Sequence, residues 1–387
     1  MTKRILAVGH DAYRAGAQIV FLHILRWLRE NHDSDISLVL NADGDLLPDY
    51  QAVLPTTVLS TLRGPNRRTT TGLPHKVKHR LRPRASRLRS LGIGSGRVDL
   101  VYANSMTSAH LGASIATELG CPAICHVHEL EMAIRATNTP TRLREAIGTL
   151  DGYIAVSQAV QRNLVENHGI AATNITLVPE CIPIPRALPD ARARAELKAN
   201  LGIPSDAFVI GGSGTVDWRK GPDVFLLVAS AVARRSPSRP VHFLWVGGEP
   251  RRLMPVEYDL TRLGLHDSVH FVGVQADPAP YFALFDSFLL SSREDPFPLV
   301  CLEAASMHTP IVCFADAGGM PEFVEDDAGY VVPYLDIESA ADRLLSLADA
   351  DEIRTALGRR AATKVAERCS IDVVGAQIGA VLDQYSR

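Results

Sequence analysis

The chain has 387 residues, of which 46% are hydrophobic and 21% charged, a composition that excludes a disordered or fibrous protein. At roughly 100–200 residues per domain, this length favours two domains. Lys and Arg number 40 against 43 Asp and Glu, a formal net charge of −3 that by itself indicates no polyanionic partner. No apolar stretch approaches the ~18 residues of a membrane span, and no secretory signal pattern is present. Six widely spaced cysteines do not form a disulfide scaffold, so we expect a cytoplasmic protein.

Strand-like and helix-like segments alternate along almost the whole chain, which predicts parallel β-sheets covered by helices. A buried first strand at 5–8 is followed by an amphipathic helix at 17–29. The further strands of the first half are predicted at 37–40, 123–125, 153–156 and 176–178. Four prolines between positions 179 and 189 then rule out regular structure.

After this break the alternation restarts, with a helical tail from Ile337 and with strands predicted at 208–210, 243–246, 269–272, 287–290 and 311–313. The sequence therefore predicts an α/β protein of two halves, with a ligand cleft between the carboxyl ends of two sheets. We place the domains and connections as a first domain at 1–182, a Pro-rich linker at 183–190, a second domain at 191–368, and a C-terminal helix at 369–387 that crosses back to the first domain.

A Gly-rich turn at 211–221 lies between a predicted strand and a predicted helix. Glycines let the backbone approach an anion closely, and Arg219 and Lys220 offer positive charge for a phosphate. The turn is not a P-loop, because no Ser or Thr follows Lys220. Many such turns are plain connections, so the pattern alone leaves both interpretations open.

The segment 291–304 contains two carboxylates eight positions apart. Asp295 lies in the loop after a predicted strand, and Glu303 lies in a helix predicted to begin near Pro298, where proline suits a first turn. The N–H groups of that turn favour a phosphate, and carboxylates accept hydrogen bonds from the hydroxyl groups of a sugar or ribose. An acidic helix start with an exposed Glu303 is the alternative that the spacing leaves open.

Two histidines, His126 and His128, lie at the end of a predicted strand and point the same way by alternation. A zinc site with the nearby Cys121 and Cys125 is disfavoured, because Cys125 and His126 are adjacent and point to opposite faces of a strand. A histidine at a strand end is often structural, but in a cleft it can contact a reacting hydroxyl.

Taken together, these segments resemble the retaining glycosyltransferases of family 4 (glycosyl transferase group 1), which are built on the GT-B fold with two Rossmann-like domains facing each other across a cleft. The resemblance spans nearly the whole chain. Asp295 and Glu303 match the paired-acid motif of that family, and the sequence Gly-Gly-x-Pro-Glu at 318–322 matches its next signature. Lys220 matches the basic position that meets the donor diphosphate.

The resemblance implies a set of site residues in both halves. A small-residue loop at 15–17 would lie near the donor phosphates, and His128 would face the acceptor and the donor sugar. The implied catalytic residues are His128, Asp295 and Glu303. The implied donor-binding residues are Gly16, Ala17, Gly214, Thr215, Arg219, Lys220, Glu294, Pro298, Leu299, Val300 and Glu303.

Three positions depart from the family pattern. Asp295 stands where the family usually has Glu, and its shorter side chain is expected to change which sugar hydroxyl it binds. The neighbouring Glu294 is the alternative first acid, but the spacing favours Asp295. The family often has an Arg shortly after the glycines of the phosphate turn. Thr215 stands nearest to that position here, and we expect Arg219 to compensate. Glu180-Cys181 replaces the usual Asn-Gly before the linker, a change expected to affect hinge geometry more than chemistry.

The resemblance implies transfer of a sugar from a nucleotide-diphosphate-sugar donor, with retention, to a hydroxyl of a glycan or lipid-linked acceptor, with no metal ion or other cofactor. Glu303 would hold the ribose hydroxyls and Asp295 the donor sugar. The alternatives are a sugar-nucleotide epimerase or a phosphorylase on the same architecture, and a nucleic-acid-binding protein acting through the segment 63–97. No aromatic residue for base stacking occurs between Gln51 and Leu100, so we expect no nucleic-acid partner.

The small net charge conceals the basic segment 63–97, which contains eleven Lys and Arg residues. No Asp or Glu occurs between Tyr50 and Val98, and the remainder of the chain has 29 basic against 43 acidic residues. The segment is either a solvated loop or a docking surface for an anionic membrane, to which each cation contributes about 1 kcal/mol. We favour docking on the cytoplasmic face of a membrane, where a lipid-linked acceptor would lie.

Overall fold

The computed structural model describes residues 2–61, 96–185 and 190–386. Most of the basic segment 63–97 and half of the linker 183–190 therefore lie outside the described residues. The described chain divides into two compact units. Unit 1 comprises the described residues of Met1–Val156, Gln161–Val178 and Gly375–Arg387, and unit 2 comprises those of Ser157–Val160 and Pro179–Val374.

Unit 1 is built on a parallel sheet whose strands, in the described part of the chain, are β1 (Lys3–Gly9), β2 (Ser34–Leu40), β3 (Thr56–Val58), β4 (Leu100–Asn104), β5 (Ala123–Val127), β6 (Gly152–Ala155) and β7 (Ile175–Leu177). They pair in the order β3-β2-β1-β4-β5-β6-β7, so the direction of strand addition reverses between β1 and β4. Every residue of β4 and β5 is buried, as expected for parallel strands covered on both faces.

The helices of unit 1 are α1 (Gly16–Asn31), α2 (Leu47–Val53), α3 (Met106–Leu119), α4 (Glu131–Thr137), α5 (Pro140–Ile147) and α6 (Gln158–His168), the last of which begins in unit 2. The apolar face of α1 buries Val20, Ile24 and Leu28 at helical spacing. A 3-10 turn at Ala172–Asn174 precedes β7.

Unit 2 repeats the architecture with described strands β8 (Phe208–Ser213), β9 (Val241–Val246), β10 (Val269–Phe271), β11 (Ser287–Leu290), β12 (Ile311–Phe314) and β13 (Gly329–Val332). They are parallel in the order β10-β9-β8-β11-β12-β13, with the reversal between β8 and β11. Its described helices are α7 (Ala191–Asn200), α8 (Pro222–Arg234), α9 (Pro250–Leu263), α10 (Ala279–Phe282), α11 (Leu299–Ser306), α12 (Met320–Val324), α13 (Ile337–Asp349) and α14 (Asp351–Arg368).

The last helix, α15 (Ile371–Tyr385), begins in unit 2 and ends in unit 1. In unit 1 it packs on α1, where a side chain at Gly375 would overlap the ring of Trp27. Lys3 of β1 forms an ion pair with Asp383 at 2.6 Å. These contacts attach the end of the chain to the first sheet.

The predicted strands are all present, and the alternation of strands and helices is confirmed. Three short strands were not predicted, namely β3, β4 and β13. The assignment of Gly211 and Gly212 to the anion-facing turn is wrong, because both lie inside β8. A side chain at Gly211 would overlap the Phe285 ring, and a Cβ at Gly212 would lie 2.6 Å from the Phe225 ring, so these glycines serve core packing.

No helix in the described ranges combines the length and the apolar composition that a membrane crossing requires.

Candidate active site

The Gly-rich turn of unit 2 connects β8 to α8 and is fixed by two glycines with positive φ. Gly214 has a φ of 146° and Gly221 a φ of 65°. A side chain at Gly221 would also overlap the carbonyl oxygen of Ser291, which follows β11. Glycine is therefore required here both by the backbone conformation and by the close approach of the neighbouring loop.

The basic pair of this turn meets the first predicted acid. Lys220 Nζ donates a hydrogen bond to Asp295 Oδ2 at 2.6 Å, and the Ser292 hydroxyl donates to the same oxygen at 3.1 Å. The Arg219 guanidinium lies 3.6 Å from Asp295 Oδ1 and donates to the carbonyl oxygen of Glu294 at 3.0 Å. The Asp295 side chain is only 5% exposed and that of Lys220 13%. Arg219, Lys220 and Asp295 thus form one largely buried charged cluster.

The backbone of Asp295 is held by the third predicted motif. Asp295 N–H donates to Ala317 at 2.7 Å, and Gly319 N–H donates to the carbonyl of Asp295 at 3.2 Å. A side chain at Gly318, whose φ is 139°, would overlap that carbonyl. The Glu322 carboxylate does not join the cluster, because it accepts hydrogen bonds from the N–H groups that open α6, within unit 2.

Helix α11 carries the second acid. It begins at Leu299, with Pro298 as an extended N-cap residue that offers no side-chain hydrogen bond, so Pro298 precedes the first turn and is not part of it. The Glu303 carboxylate makes no hydrogen bond or ion pair with any described residue. Burial raises the pKa of Glu303 from 4.5 to about 7. An unpartnered, desolvated carboxylate is a favourable acceptor for ligand hydroxyl groups.

The remaining donor-site candidates of unit 2 make different contacts. Thr215 is exposed and donates its hydroxyl to Asp217 at 2.7 Å, so it stabilises the turn. Leu299 and Val300 supply the first backbone N–H groups of α11, next to Pro298. Glu294 contributes its backbone carbonyl to Arg219.

Unit 1 brings its own predicted residues together at the reversal between β1 and β4. The carbonyl of Ala17, in the first turn of α1 after Gly16, accepts a hydrogen bond from Asn104 Nδ2 at 3.2 Å. Asn104 Oδ1 lies 2.9 Å from His128 Nε2. The prediction of a loop at 15–17 is wrong for Gly16 and Ala17, which lie in the first turn of α1. Asn104 therefore joins that turn to His128, and its Oδ1 assigns the proton of a neutral His128 to Nε2, which leaves Nδ1 as the acceptor nitrogen.

Asn104 was not predicted from the sequence. The available signal was its position at the end of β4, beside β1 and β5 at the point where the strand order reverses. His126 pairs with Asn104 in register and is fully buried, with its ring centroid 4.1 Å from that of His128, so the prediction that the two histidines point the same way is confirmed. Burial lowers the pKa of His126 well below its usual value, which makes it a neutral packing residue.

Asn104→Ala is expected to lower turnover about 10-fold or more, because the orientation and tautomer of His128 are no longer fixed. The measurement is the pH profile of kcat, which should change in shape as well as height. Asn31→Ala is the matched control, since the Asn31 amide donates to the carbonyl of Trp27 on the exposed side of α1. An unchanged profile in Asn104→Ala would contradict the positioning role.

Among the described residues, no group of three or more His, Cys, Asp and Glu side chains is arranged to hold a metal ion. Cys125 is buried in β5 and its pKa is raised well above its usual value by desolvation. The pair Cys125 and His126 therefore belongs to the interior of unit 1.

Two family descriptions match the chain. "Glycosyltransferase Family 4" matches residues 14–186, and "Glycosyl transferases group 1" matches residues 207–350. The D-inositol 3-phosphate glycosyltransferase of Saccharomonospora viridis is 30% identical over 288 residues, 69% of this chain and 65% of that protein. The protein of the same description from Kineococcus radiotolerans is 28% identical over 297 residues, 69% of this chain and 67% of that protein. The chain thus spans less than two thirds of the first of these relatives.

Solved structures share the fold over nearly their whole length. HepE of Anabaena, in complex with UDP, superposes with a TM-score of 0.80 at 21% identity and covers 99% of this chain and 100% of that chain. Sucrose-phosphate synthase of Thermosynechococcus elongatus superposes with a TM-score of 0.74 at 20% identity, covering 99% and 98%.

The two parallel-sheet units, with their charged and polar residues at the points of strand reversal, define an α/β protein of the GT-B class. Within that class, the chain belongs to glycosyltransferase family 4. The family resemblance and the fold class predicted from the sequence are confirmed.

Proposed function

We propose that the chain is a metal-independent, retaining glycosyltransferase that moves a sugar from a nucleotide-diphosphate-sugar donor to a hydroxyl of a glycan or lipid-linked acceptor. The observation that carries the proposal is the arrangement in unit 2, where Arg219 and Lys220 form a cationic cluster with Asp295. Glu303 in α11 offers a desolvated carboxylate with no partner in the described chain. Family membership supports this proposal, and the HepE structure with UDP-glucose makes UDP-sugars the first donors to test.

The charges of these groups suggest a separate role for each in sugar transfer. Departure of the nucleotide diphosphate concentrates negative charge on its leaving oxygen, which Arg219, Lys220 and the N–H groups that open α11 would stabilise without a metal ion. Glu303 would accept hydrogen bonds from the ribose hydroxyls, and Asp295 would accept one from the transferred sugar. Lys220, which donates a hydrogen bond to Asp295, would also contact the diphosphate.

Retention is proposed to arise from attack on the face that the diphosphate leaves. The bond between the anomeric carbon and the phosphate oxygen breaks, the bond to the acceptor oxygen forms, and the acceptor proton passes to the departing diphosphate oxygen. The contacts of Asp295 support this mechanism over a covalent one, because both of its oxygens already face cations or a hydroxyl. A carboxylate stabilised in this way is a weak nucleophile.

Unit 1 is proposed to supply the acceptor side. The family resemblance assigns Gly16 and Ala17 to the donor phosphates and His128 to the transferred sugar and the acceptor. Gln18 Nε2 lies 2.8 Å from both His10 Nε2 and Asp11 Oδ1, which adds polar groups suited to hydroxyl recognition in the same unit.

The test is a donor screen followed by product analysis. Thermal protection by UDP-, GDP-, ADP- and dTDP-sugars should single out one nucleotide, since a ligand at 100 times its Kd adds about 2.7 kcal/mol to stability. Incubation of that donor with glycan and lipid-linked acceptors, with and without a chelator, should then give a product of unchanged anomeric configuration. Absence of protection by every donor would contradict the proposal, and conversion of the donor without an acceptor would favour an epimerase.

Membrane docking through the basic segment 63–97 stays a prediction, and Arg97, which is described, forms an ion pair with Asp99 at 3.0 Å. If docking occurs, the protein should sediment with vesicles containing anionic lipid and not with neutral vesicles, and salt should release it. Equal recovery in both supernatants would contradict it.

A further inference from the structure

The part of the Gly-rich turn that contains Arg219 and Lys220, here called the basic turn, is held by hydrogen bonds from the loop that follows β11. Three successive carbonyl groups, those of Trp218, Arg219 and Lys220, each accept a hydrogen bond from residues 291–293. Arg293 NH1 donates to Trp218 at 2.8 Å, and Arg293 N–H donates to Arg219 at 2.8 Å. The Ser291 hydroxyl donates to Lys220 at 3.0 Å. The loop that leads to Asp295 thus fixes the peptide groups that carry the two cations.

Arg293 is itself a cation beside this cluster, yet its charge is already neutralised. Its guanidinium donates to both oxygens of Asp223, at 2.9 and 2.6 Å, and lies 5.1 Å from the centroid of the Trp218 ring. The Arg293 side chain is 14% exposed. The hydrogen bonds from Arg293 lower the pKa of Asp223, and the same bonds raise the pKa of Arg293, so both groups stay ionised at neutral pH. A guanidinium engaged on all these sides is not directed to a phosphate.

We infer that Arg293 is a positioning residue, which with Asp223 and Ser291 holds Arg219 and Lys220 in the geometry that receives the donor diphosphate. This inference rests on the proposed function and adds a determinant of diphosphate affinity outside the groups that contact the donor. We call Arg293, Asp223 and Ser291 the turn clamp. Preorganised cations bind a diphosphate without first losing backbone freedom, so the clamp contributes to affinity by lowering the ordering cost of the turn.

The clamp requires arginine. The planar guanidinium forms two parallel bonds to one carboxylate while a third donor reaches a carbonyl, and it also stacks on an indole. A lysine at position 293 keeps the charge but has a single ammonium that cannot make this set of contacts. The conservative variant Arg293→Lys therefore separates the geometry of the clamp from its charge.

The experiment compares three probes, namely inorganic pyrophosphate, UDP and uridine, by calorimetry on the full chain. Arg293→Lys should weaken binding of pyrophosphate and UDP ~10-fold, equal to 1.4 kcal/mol, and leave uridine within about twofold of wild type. Amide hydrogen exchange across 214–221 should become faster in the same variant. Ser291→Ala, which removes one bond of the clamp, should show a smaller change in the same direction and keeps the test decisive if Arg293→Lys does not fold.

Arg235→Lys is the matched control. Arg235 also donates to two carboxylates, at 2.7 and 2.9 Å, and to a carbonyl, but it lies at the end of α8 away from the basic turn. Wild-type affinity for pyrophosphate and UDP in both clamp variants would overturn the inference while leaving the donor site standing. Parallel loss of uridine and pyrophosphate binding would also overturn it, because it would report general destabilisation of unit 2. A wild-type chain that binds neither pyrophosphate nor any nucleotide would overturn the donor site as well.

Discussion

Lys220→Ala is expected to lower kcat/KM for sugar transfer roughly 10²–10³-fold, the range found when one group that stabilises transition-state charge is removed. Two losses combine in this variant. The departing diphosphate loses a cation, and the buried Asp295 carboxylate loses its shortest contact, at 2.6 Å. The second loss should also lower the free energy of unfolding, since a buried carboxylate without its partner is costly. Initial rates as a function of donor concentration, together with thermal unfolding of the free protein, measure both effects.

The double variant Lys220→Ala/Asp295→Asn separates the two losses. Removing the charge of Asp295 should restore part of the stability, because no uncompensated carboxylate remains, while transfer should stay low. Lys198→Ala is the matched control, since Lys198 donates to the carbonyl of Ala207 in the same unit, away from the cluster. Near wild-type transfer in Lys220→Ala would show that Lys220 is a structural partner of Asp295 only.

The placement of the candidate site residues could be predicted from the sequence because these residues follow the strand ends. Lys220 and Asp295 are 75 positions apart, but they follow β8 and β11, which are neighbours where the strand order reverses. The same reversal in unit 1 places the first turn of α1, which contains Ala17, beside Asn104. Carboxyl ends of adjacent parallel strands meet at one edge, so a pattern of strands and turns is sufficient to locate such residues.

The direct pairing of Lys220 with Asp295 could not be predicted, nor could the roles of Asn104 and Arg293. A charged residue in a loop has the same sequence signature whether it binds a ligand or another side chain. Arg293 illustrates the difference, because only the position of Asp223 shows that its charge is used internally. Gly211 and Gly212 illustrate the reverse error, since the aromatic rings that exclude their side chains come from distant elements.

Glu303→Gln is expected to reduce transfer strongly while stabilising the free protein in a pH-dependent way. Burial raises the pKa of Glu303 from 4.5 to about 7, so the folded state binds more protons than the unfolded state between these values. The wild-type protein therefore loses stability as pH rises from about 4.5 to 7, by roughly 3 kcal/mol for this group, and little more above that range. Glutamine has no charge to desolvate, so the variant should escape this loss. The difference in Tm between Glu303→Gln and wild type should be small at pH 5 and largest near pH 8.

Donor binding should depend on pH in the opposite direction, because in the proposed donor site the ribose hydroxyls would donate to the ionised carboxylate of Glu303. Affinity for the donor nucleotide should then rise as pH increases through about 7, and binding below that pH should release a proton, as detected by calorimetry in buffers of different ionisation enthalpy. Glu303→Gln should bind more weakly and lose both the pH dependence and the proton release. Glu322→Gln is the control, since that carboxylate instead accepts hydrogen bonds from the N–H groups that open α6. Full transfer activity in Glu303→Gln would remove Glu303 from the donor site, whereas a pH-independent Tm difference would show that its carboxylate is solvated in the free protein.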